Sequence, residues 1–435
     1  MPEVVSGVGS PTIGRGVMAA LFSRVRYQIG FLLVFAVLVP MAPYQLIFRL
    51  PNFLELQAAT ISGSSLALIV GYMAYRRLLV FPGIAAGGYV IMSMTVSFAI
   101  LTALFVFLRL DYSRWQLFSS YVLSTAGLLL IHLLVERRRN RTFAYVRGGR
   151  TDVLPDVRGI QWVDIPDPNA RLHNIDLIVV DLHHDHDAGW EHAIARWVLA
   201  GIPVYDMRLA IEQVTGRVEI NHISENTLGS LNPNALLIKL KSIADFIVAL
   251  TMLVLLAPLL VTIAIMIRID SAGPAIFKQQ RTGFRAHPFT VYKFRTMYVA
   301  SEALDADRAR QHAMTQDKDT RITRFGRFLR RSRLDELPQL INIVKGDMSL
   351  IGPRPEAISL SDWYSREIPY YHYRHIIKPG LTGWAQINQG HVTTVSEIRE
   401  KLNLDFYYVK NYSLWLDILI VLRTIVIMVS GHGAR

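Results

Sequence analysis

The feature that most constrains this chain is a series of apolar stretches long enough to cross a bilayer. Tyr27–Phe48, Ala58–Tyr75, Leu78–Leu108 and Trp115–Val135 fill its first third. Each matches or approaches the roughly 20 apolar residues that a spanning helix needs. The first is too long and too late for a secretory signal, and no small-residue cleavage pattern follows it. Basic residues set the direction of crossing. Arg15, Arg24 and Arg26 precede the first stretch, Arg76 and Arg77 follow the second, and Arg137, Arg138, Arg139 and Arg141 follow the fourth. The loops between hold only Arg49, Arg109 and Arg114. Residues 1–141 are therefore expected to form a four-helix transmembrane region with both ends in the cytoplasm.

After the arginine run the sequence turns soluble in character. Gly159–Ile165, Ile175–Leu182 and Gly201–Tyr205 read as short buried strands, and Trp190–Leu199 reads as a crossover helix. This βαβ pattern predicts a small Rossmann-like domain over residues 142–229. A dinucleotide-binding version needs G-x-G-x-x-G after its first strand, and only Gly148 and Gly149 are present. A structural or regulatory role is the favoured reading. The run His183, His184, Asp185, His186, Asp187 follows the central strand, where α/β folds place ligands. Metal sites draw ligands from several elements, however, so a solvated loop is favoured over a metal site.

A catalytic domain is expected over residues 230–435, opened by a fifth apolar stretch, Ile243–Ile267. Asp245 lies near its start and Pro258 near its middle, and proline bends a helix by removing a hydrogen bond. From Arg268 to Asp335 there are fifteen Lys/Arg against seven Asp/Glu, a net of +8. A full crossing would put this basic region outside, against the positive-inside tendency. The expectation is a re-entrant helix that turns at Pro258 and keeps both flanks cytoplasmic.

The region that follows is dense in motifs: GPAIFKQQRTGF, FTVYKFRTM, SRLDELPQ, GDMSLIGPRPE, KPGLTGWAQ and DFYYVKNYSLWLD. Lys293, Arg295, Arg330, Arg331, Arg354 and Lys378 place positive charge at these motifs, and arginine matches phosphate oxygens with a planar fork of donors. Backbone amides of Gly352, Gly380 and Gly383 are further candidate donors. The overall charge of +12 also favours anionic partners. No cysteine is present, which excludes thiolate nucleophiles and thiolate metal sites. Within the basic field stands the pair Asp335–Glu336. A carboxylate can serve as a covalent phosphoryl acceptor. Nearby arginines are expected to keep Asp335 ionised. The same pair also reads as an ordinary helix start, with Asp335 as N-cap, Pro338 in the first turn and Ser332 at capping-box spacing.

From residue 239 to the C-terminus these motifs closely resemble the bacterial sugar transferase family, polyprenyl-phosphate phosphoglycosyl transferases with a single-helix membrane anchor. Four spans and a degenerate Rossmann-like insert resemble its larger members, which prime exopolysaccharide, capsule or O-antigen synthesis. The resemblance implies transfer of a sugar-1-phosphate, a hexose phosphate in the first instance, from a UDP-sugar to undecaprenyl phosphate with release of UMP. It implies that Asp335 is the nucleophile and forms a phosphosugar ester, that Glu336 helps hold Mg²⁺, and that Lys293, Arg295, Arg330, Arg354, Lys378 and Gln386 bind substrate. It also implies a bacterial inner membrane location, a catalytic domain facing the cytoplasm, and membrane lipids as partners, and it is compatible with a homodimer. Three positions depart from the family pattern. Ser332–Arg333–Leu334 stands where many members have Thr–Ser–Leu, Ala257 where some have serine, and Lys378 where some have arginine.

Two other readings compete. Asp305 and Asp307 form a D-x-D, as in glycosyltransferases that release UDP, although a solvated helical face is favoured for them. A non-catalytic scaffold is the second. The aromatic residues Phe406, Tyr407, Tyr408, Tyr412 and Trp415 are expected at the bilayer interface rather than stacked on a base. Four spans and the lack of a nucleic-acid-binding module argue against nucleic acid as a partner.

Overall fold

The computed structural model describes residues 4–6, 24–41, 53–79, 86–136, 141–152, 154–157, 159–173, 175–219, 235–298, 321–390 and 394–430. The chain divides into two compact units, Met1–Gly216 and Arg217–Arg435.

The first unit opens with apolar helices. Helix α1 (Val25–Leu33) continues through a wide turn, Val34–Leu38, and a tight one to Met41. The remainder of the expected first span, and Arg137 to Arg139, lie outside the described residues. Helices α2 (Phe53–Leu78), α3 (Ala86–Phe107) and α4 (Arg114–Ile131) follow. Gln57–Leu78, Gly87–Phe107 and Arg114–Leu134 are each long and apolar enough to cross a membrane. Small residues let α2 and α3 approach, as in membrane helix pairs. A Cβ on Gly63 would fall 2.7 Å from the Phe105 ring, and one on Gly71 the same distance from the Ser97 hydroxyl. Inside the bundle Tyr72 donates to Gln28 Oε1 at 2.5 Å.

A four-stranded parallel sheet follows, formed by β1 (Arg141–Val146), β2 (Ile160–Ile165), β3 (Leu177–Val180) and β4 (Val204–Asp206) in the order β2-β1-β3-β4. Helix α5 (Ala188–Leu199) connects β3 to β4, and α6 (Met207–Thr215) follows β4. Ala193 and Trp197 of α5 pack on one face of the sheet, and Met207 and Ala210 of α6 pack in a second core cluster with Phe143, Leu177 and Val179. The sheet begins one strand earlier than the sequence pattern indicates. Strand β1 begins at Arg141, and its apolar core Phe143–Val146 is only four residues long.

In the second unit α7 (Ala235–Asp270) is a helix of 36 residues, about 54 Å at the usual rise. It is helical on both sides of Pro258 without interruption. One face lies on the domain along nearly the whole length. Lys241 and Asp245 are buried near its start. Ala249, Leu253 and Leu256 pack on Val291, Leu340, Ile343 and Met348. Leu260, Ile263, Ala264 and Ile267 pack on Ala275, Phe294 and Leu329. The opposite face exposes Ile247, Val254, Leu255, Val261 and Ile265. With α2, α3 and α4, this makes four helices among the described residues that are apolar and long enough to span.

The antiparallel hairpin β5 (Ile276–Thr282) and β6 (Pro288–Phe294) packs against α7. Then come α8 (Arg324–Arg331), a 3-10 turn Leu334–Gln339, α9 (Leu340–Lys345), β7 (Ser349–Ile351) and α10 (Ile358–Glu367). Strand β8 (Gly380–Thr382) pairs in parallel with β7, and α11 (Trp384–Asn388), α12 (Val395–Lys410) and α13 (Leu414–Ser430) complete the unit. Phe406, Tyr407 and Tyr408 on α12 are core residues, at most 3% exposed. They neither face a bilayer nor stack on a base. Tyr407 stacks on Trp384 at 5.4 Å, because α12 is covered on both sides. Asp305 and Asp307 lie outside the described residues.

Candidate active site

Asp335 and Glu336 occupy the 3-10 turn between α8 and α9, and it is entered through Arg333 at φ 58°. A non-glycine residue in the left-handed region costs about 1–2 kcal/mol, and such strain concentrates at functional sites. The turn has no side-chain cap. Ser332 donates to the Phe328 carbonyl at 2.8 Å instead. The capping role available from the sequence is therefore not what these carboxylates do.

Their environments differ sharply. Glu336 is buried, and its Oε1 accepts from Lys293 Nζ at 3.0 Å and Arg354 Nη2 at 2.6 Å. Burial works to raise the Glu336 carboxyl, but Arg354 and Lys293 outweigh it and hold it well below the usual carboxylate range. Asp335 is half-buried and forms no hydrogen bond with the described residues. Burial pushes its carboxyl up and the Glu336 charge adds to this. Lys293, Arg354 and Arg330 only partly oppose the rise. The cations act on Asp335 in the expected direction, but burial first and the Glu336 charge second outweigh them, and Glu336 itself pairs with Lys293 and Arg354. Burial also pulls the Lys293 ammonium down to about 8, against Glu336. An incoming phosphate would favour the charged form of Lys293.

Strand β6 delivers Lys293, and the loop after β7 delivers Arg354. A second, buried network fixes that loop. Arg374 donates from Nη2 to the Arg354 carbonyl at 2.9 Å and pairs with Asp405 at 2.9 Å. Glu356 accepts from Lys401 at 2.5 Å. Burial would raise Glu356, but Lys401 and Arg374 bring it down to about 2. Arg281 donates to the Pro355 carbonyl, and its own charge is opposed by burial and by Arg354. Arg281, Glu356, Arg374, Lys401 and Asp405 were not picked out from the sequence. Arginine at 374, set among Tyr370, Tyr371 and Tyr373, was the available signal, since a charge among aromatic residues must be paired if buried.

Of the expected substrate-binding residues, Lys293, Arg330 and Arg354 converge on the dyad. Arg330 Nε also donates to Thr296 Oγ1 at 2.8 Å. Arg295 does not join them. Its guanidinium donates to the carbonyls of Ser271 and Ala272 at 2.6 and 3.0 Å, closing the exposed C-terminal end of α7. It sits next but one to Lys293 on a strand and would share its face, yet its backbone has left β6 and turned toward α7. Lys378 lines a small cavity with Lys241, Asp245, Ser349 and Tyr412 at the start of α7, and neither acid of the dyad is among its lining residues. Gln386 donates from Nε2 to the Leu381 carbonyl at 3.3 Å, and its Oε1 is buried without a partner among the described residues. The amides of Gly352 and Gly380 are also committed, to the carbonyls of Thr382 and Pro353 at 2.9 Å each. Strands β7 and β8 lie so close there that a Cβ on Gly380 would clash with Gly352.

A family model described as bacterial sugar transferase matches residues 237–431, the stretch that builds this site. Similarity extends further in one relative. The UDP-N-acetylgalactosamine-undecaprenyl-phosphate N-acetylgalactosaminephosphotransferase of Aeromonas hydrophila is 40% identical over 377 residues, covering 86% of this chain and 88% of that protein. The chain belongs to the bacterial sugar transferase family. The UDP-glucose:undecaprenyl-phosphate glucose-1-phosphate transferase of Caulobacter vibrioides is 42% identical over 45% of this chain and 71% of its own length. The exopolysaccharide production protein PSS of Rhizobium leguminosarum matches 43% of this chain at 40% identity but 94% of itself. Less than half of this sugar transferase thus matches nearly the whole of a smaller relative, and the apolar helices of the first unit mark it as a membrane protein.

For Mg²⁺, the donor set is adequate but small. Among the described residues, Glu336 Oε1 is taken by two cations, Oε2 has only Arg354 Nη1 at 3.5 Å, and the Asp335 carboxylate accepts no hydrogen bond. Mg²⁺ is commonly held by one or two carboxylates, substrate phosphates and water, so these two oxygens fit it.

Proposed function

We propose that this sugar transferase moves a sugar-1-phosphate from a UDP-sugar to undecaprenyl phosphate at the cytoplasmic face of the bacterial inner membrane, the first membrane step of exopolysaccharide or related glycan synthesis. The observation that carries the reading is the division of labour within the dyad. One carboxylate is locked by two cations, and the other is open in the same cationic pocket. The names of the relatives supply the substrate class. An Asp335 oxygen attacks the sugar-bearing phosphorus, the bond to the bridging oxygen breaks, and UMP leaves with that oxygen. An undecaprenyl phosphate oxygen then attacks the same phosphorus, the Asp335 ester bond breaks, and the carboxylate is restored. Lys293, Arg354 and Arg330 neutralise charge on the phosphates throughout. Glu336 orients the first two of these and, with Asp335, would hold Mg²⁺, which when bound adds charge neutralisation at the diphosphate.

The test is UMP release by the purified protein in lipid nanodiscs, with undecaprenyl phosphate and a panel of donors that includes UDP-N-acetylgalactosamine and UDP-glucose. UMP release that stops in EDTA and returns with Mg²⁺ is the expected result. Release of UDP would instead favour glycosyl transfer, and full activity in chelator would remove the metal.

The packing of α7 supports a re-entrant placement. A helix that crossed the bilayer would hold its two ends on opposite sides. Here Lys241 reaches Asp417 at 2.7 Å, Asp245 accepts from Ser349 at 2.5 Å, and Ile267 packs beside Phe294 and Leu329 on the same domain. The charged residues at the start of α7 therefore face protein, and its outer apolar face would enter one leaflet, although the helix runs through Pro258 without the turn expected there. On this reading residues 1–141 form the transmembrane region, 142–229 a Rossmann-like domain and 230–435 the catalytic domain. Single cysteines at Ser242 and Ala272 are expected to resist an impermeant thiol reagent applied from the periplasm, in a chain with no native cysteine. Periplasmic labelling at Ala272→Cys alone would make α7 a plain span.

A further inference from the structure

The histidine-rich loop of the first unit contains a constellation that the sugar-transfer chemistry does not use. Strands β1 and β3 are neighbours, and their connections leave in opposite directions, β1 to β2 and β3 to β4. Ligands of open parallel sheets bind outside the carboxyl ends of the strands, and the neighbours β3 and β4 both end at that edge, beside this crossover point. Asp181 follows β3 immediately, Asp206 ends β4, and His183 stands between them.

A ligand oxygen or nitrogen from each of Asp181, His183 and Asp206 lies within 4.8 Å of the others. His183 Nδ1 is 3.5 Å from Asp206 Oδ2 and 3.9 Å from Asp181 Oδ1. Both separations are too long for a good hydrogen bond. They are close to the spacing of about 3.4 Å between two ligands that each sit about 2.1 Å from a tetrahedral metal. The carboxylates are already positioned. The amide of His183 donates to Asp181 Oδ1 at 3.0 Å, and those of Leu182 and Arg208 donate to Asp206 at 3.2 and 2.9 Å. Those bonds close a turn and cap α6, so they account for the two aspartates without any ligand. They do not account for the imidazole. Nothing in the turn or the cap needs the exposed His183 ring beside two carboxylates, and that imidazole forms no hydrogen bond with the described residues.

We infer that Asp181, His183 and Asp206 form a binding site for a divalent transition metal at the carboxyl edge of this sheet. One imidazole nitrogen and two carboxylate oxygens form a mixed donor set that suits Zn²⁺, Co²⁺ or Mn²⁺ better than Mg²⁺ or Ca²⁺, which take oxygen alone. Water or a small anion completes the coordination. The ligands come from two different strand ends, which a solvated run of adjacent polar residues would not supply. His184 and His186 are not part of the set, since His186 Nε2 is engaged with the Asp181 carbonyl at 2.9 Å.

The experiment uses the full-length, tag-free protein in nanodiscs with Zn²⁺ alone as probe, in excess Mg²⁺ so that hard-cation sites are filled. Equilibrium dialysis is expected to give one equivalent of bound Zn²⁺, and Co²⁺ in its place is expected to give visible ligand-field absorption. His183→Ala should weaken Zn²⁺ binding at least tenfold. Asp206→Asn, which still caps α6, should do the same. His192→Ala, an exposed histidine on α5 outside the cluster, should bind as wild type. A thermal melt and circular-dichroism spectrum of His183→Ala that match wild type show that this variant is folded. The proposal is overturned if the wild type binds no Zn²⁺, if His183→Ala binds it as tightly as wild type, or if His192→Ala loses it equally.

Discussion

Asp335→Asn leaves the protein folded and membrane-bound while UMP release falls by about 10⁴-fold or more, the scale on which loss of a covalent nucleophile acts. Asparagine has nearly the same size and shape, and Asp335 makes no hydrogen bond with the described residues that the change could break. Burial and Glu336 already disfavour its charge, so the neutral amide should leave stability unchanged or slightly higher. A thermal melt together with a UMP assay separates the two effects. Near-normal turnover by a normally folded variant would remove Asp335 from the role of nucleophile.

Arg354→Ala is the second large expected effect, and it acts on both stability and rate. Arg354 is the shortest contact of Glu336, at 2.6 Å, with side-chain exposures of 27% and 11%. Removing one member of a buried ion pair costs about 3–5 kcal/mol. Because Arg354 is partly exposed and Lys293 still pairs with Glu336, a loss of about 2 kcal/mol is the better expectation. The rate should fall by a further 10²–10³-fold, about what removal of one preorganised donor to a developing negative charge costs. Arg354→Lys keeps the charge but loses the fork, and it should recover most of the stability and little of the rate. Equal recovery of both by lysine would show that Arg354 acts only as a countercharge to Glu336.

Much of the architecture was legible because hydropathy is a property of single segments. Helices α2, α3 and α4 and the apolar helix α7 need only enough consecutive apolar residues to satisfy a bilayer or cover a domain. The placement of Asp335 and Glu336 within a basic field was legible too, since SRLDELPQ and GPRPE carry it in the linear order of residue types. Motif membership did not predict position, however. Arg295 and Lys293 belong to one short motif, yet Arg295 closes the end of α7 while Lys293 holds Glu336. The direction of a side chain depends on where the strand ends, and local sequence does not fix that.

The sequence by itself determined that the chain enters a membrane, that it carries a soluble α/β segment between apolar regions, and that two adjacent acids stand among phosphate-binding cations. Tertiary structure alone decided which acid is neutralised and which is left open, because that depends on β6 and the β7 loop meeting at one carboxylate. It decided that Phe406, Tyr407 and Tyr408 are core rather than interface, because α12 happens to be covered on both sides. It also brought His183 to Asp206, 23 residues further along the chain. Interactions between distant segments are set by how the elements stack, and pairwise distances of this kind have no signature in the spacing of residues along the chain.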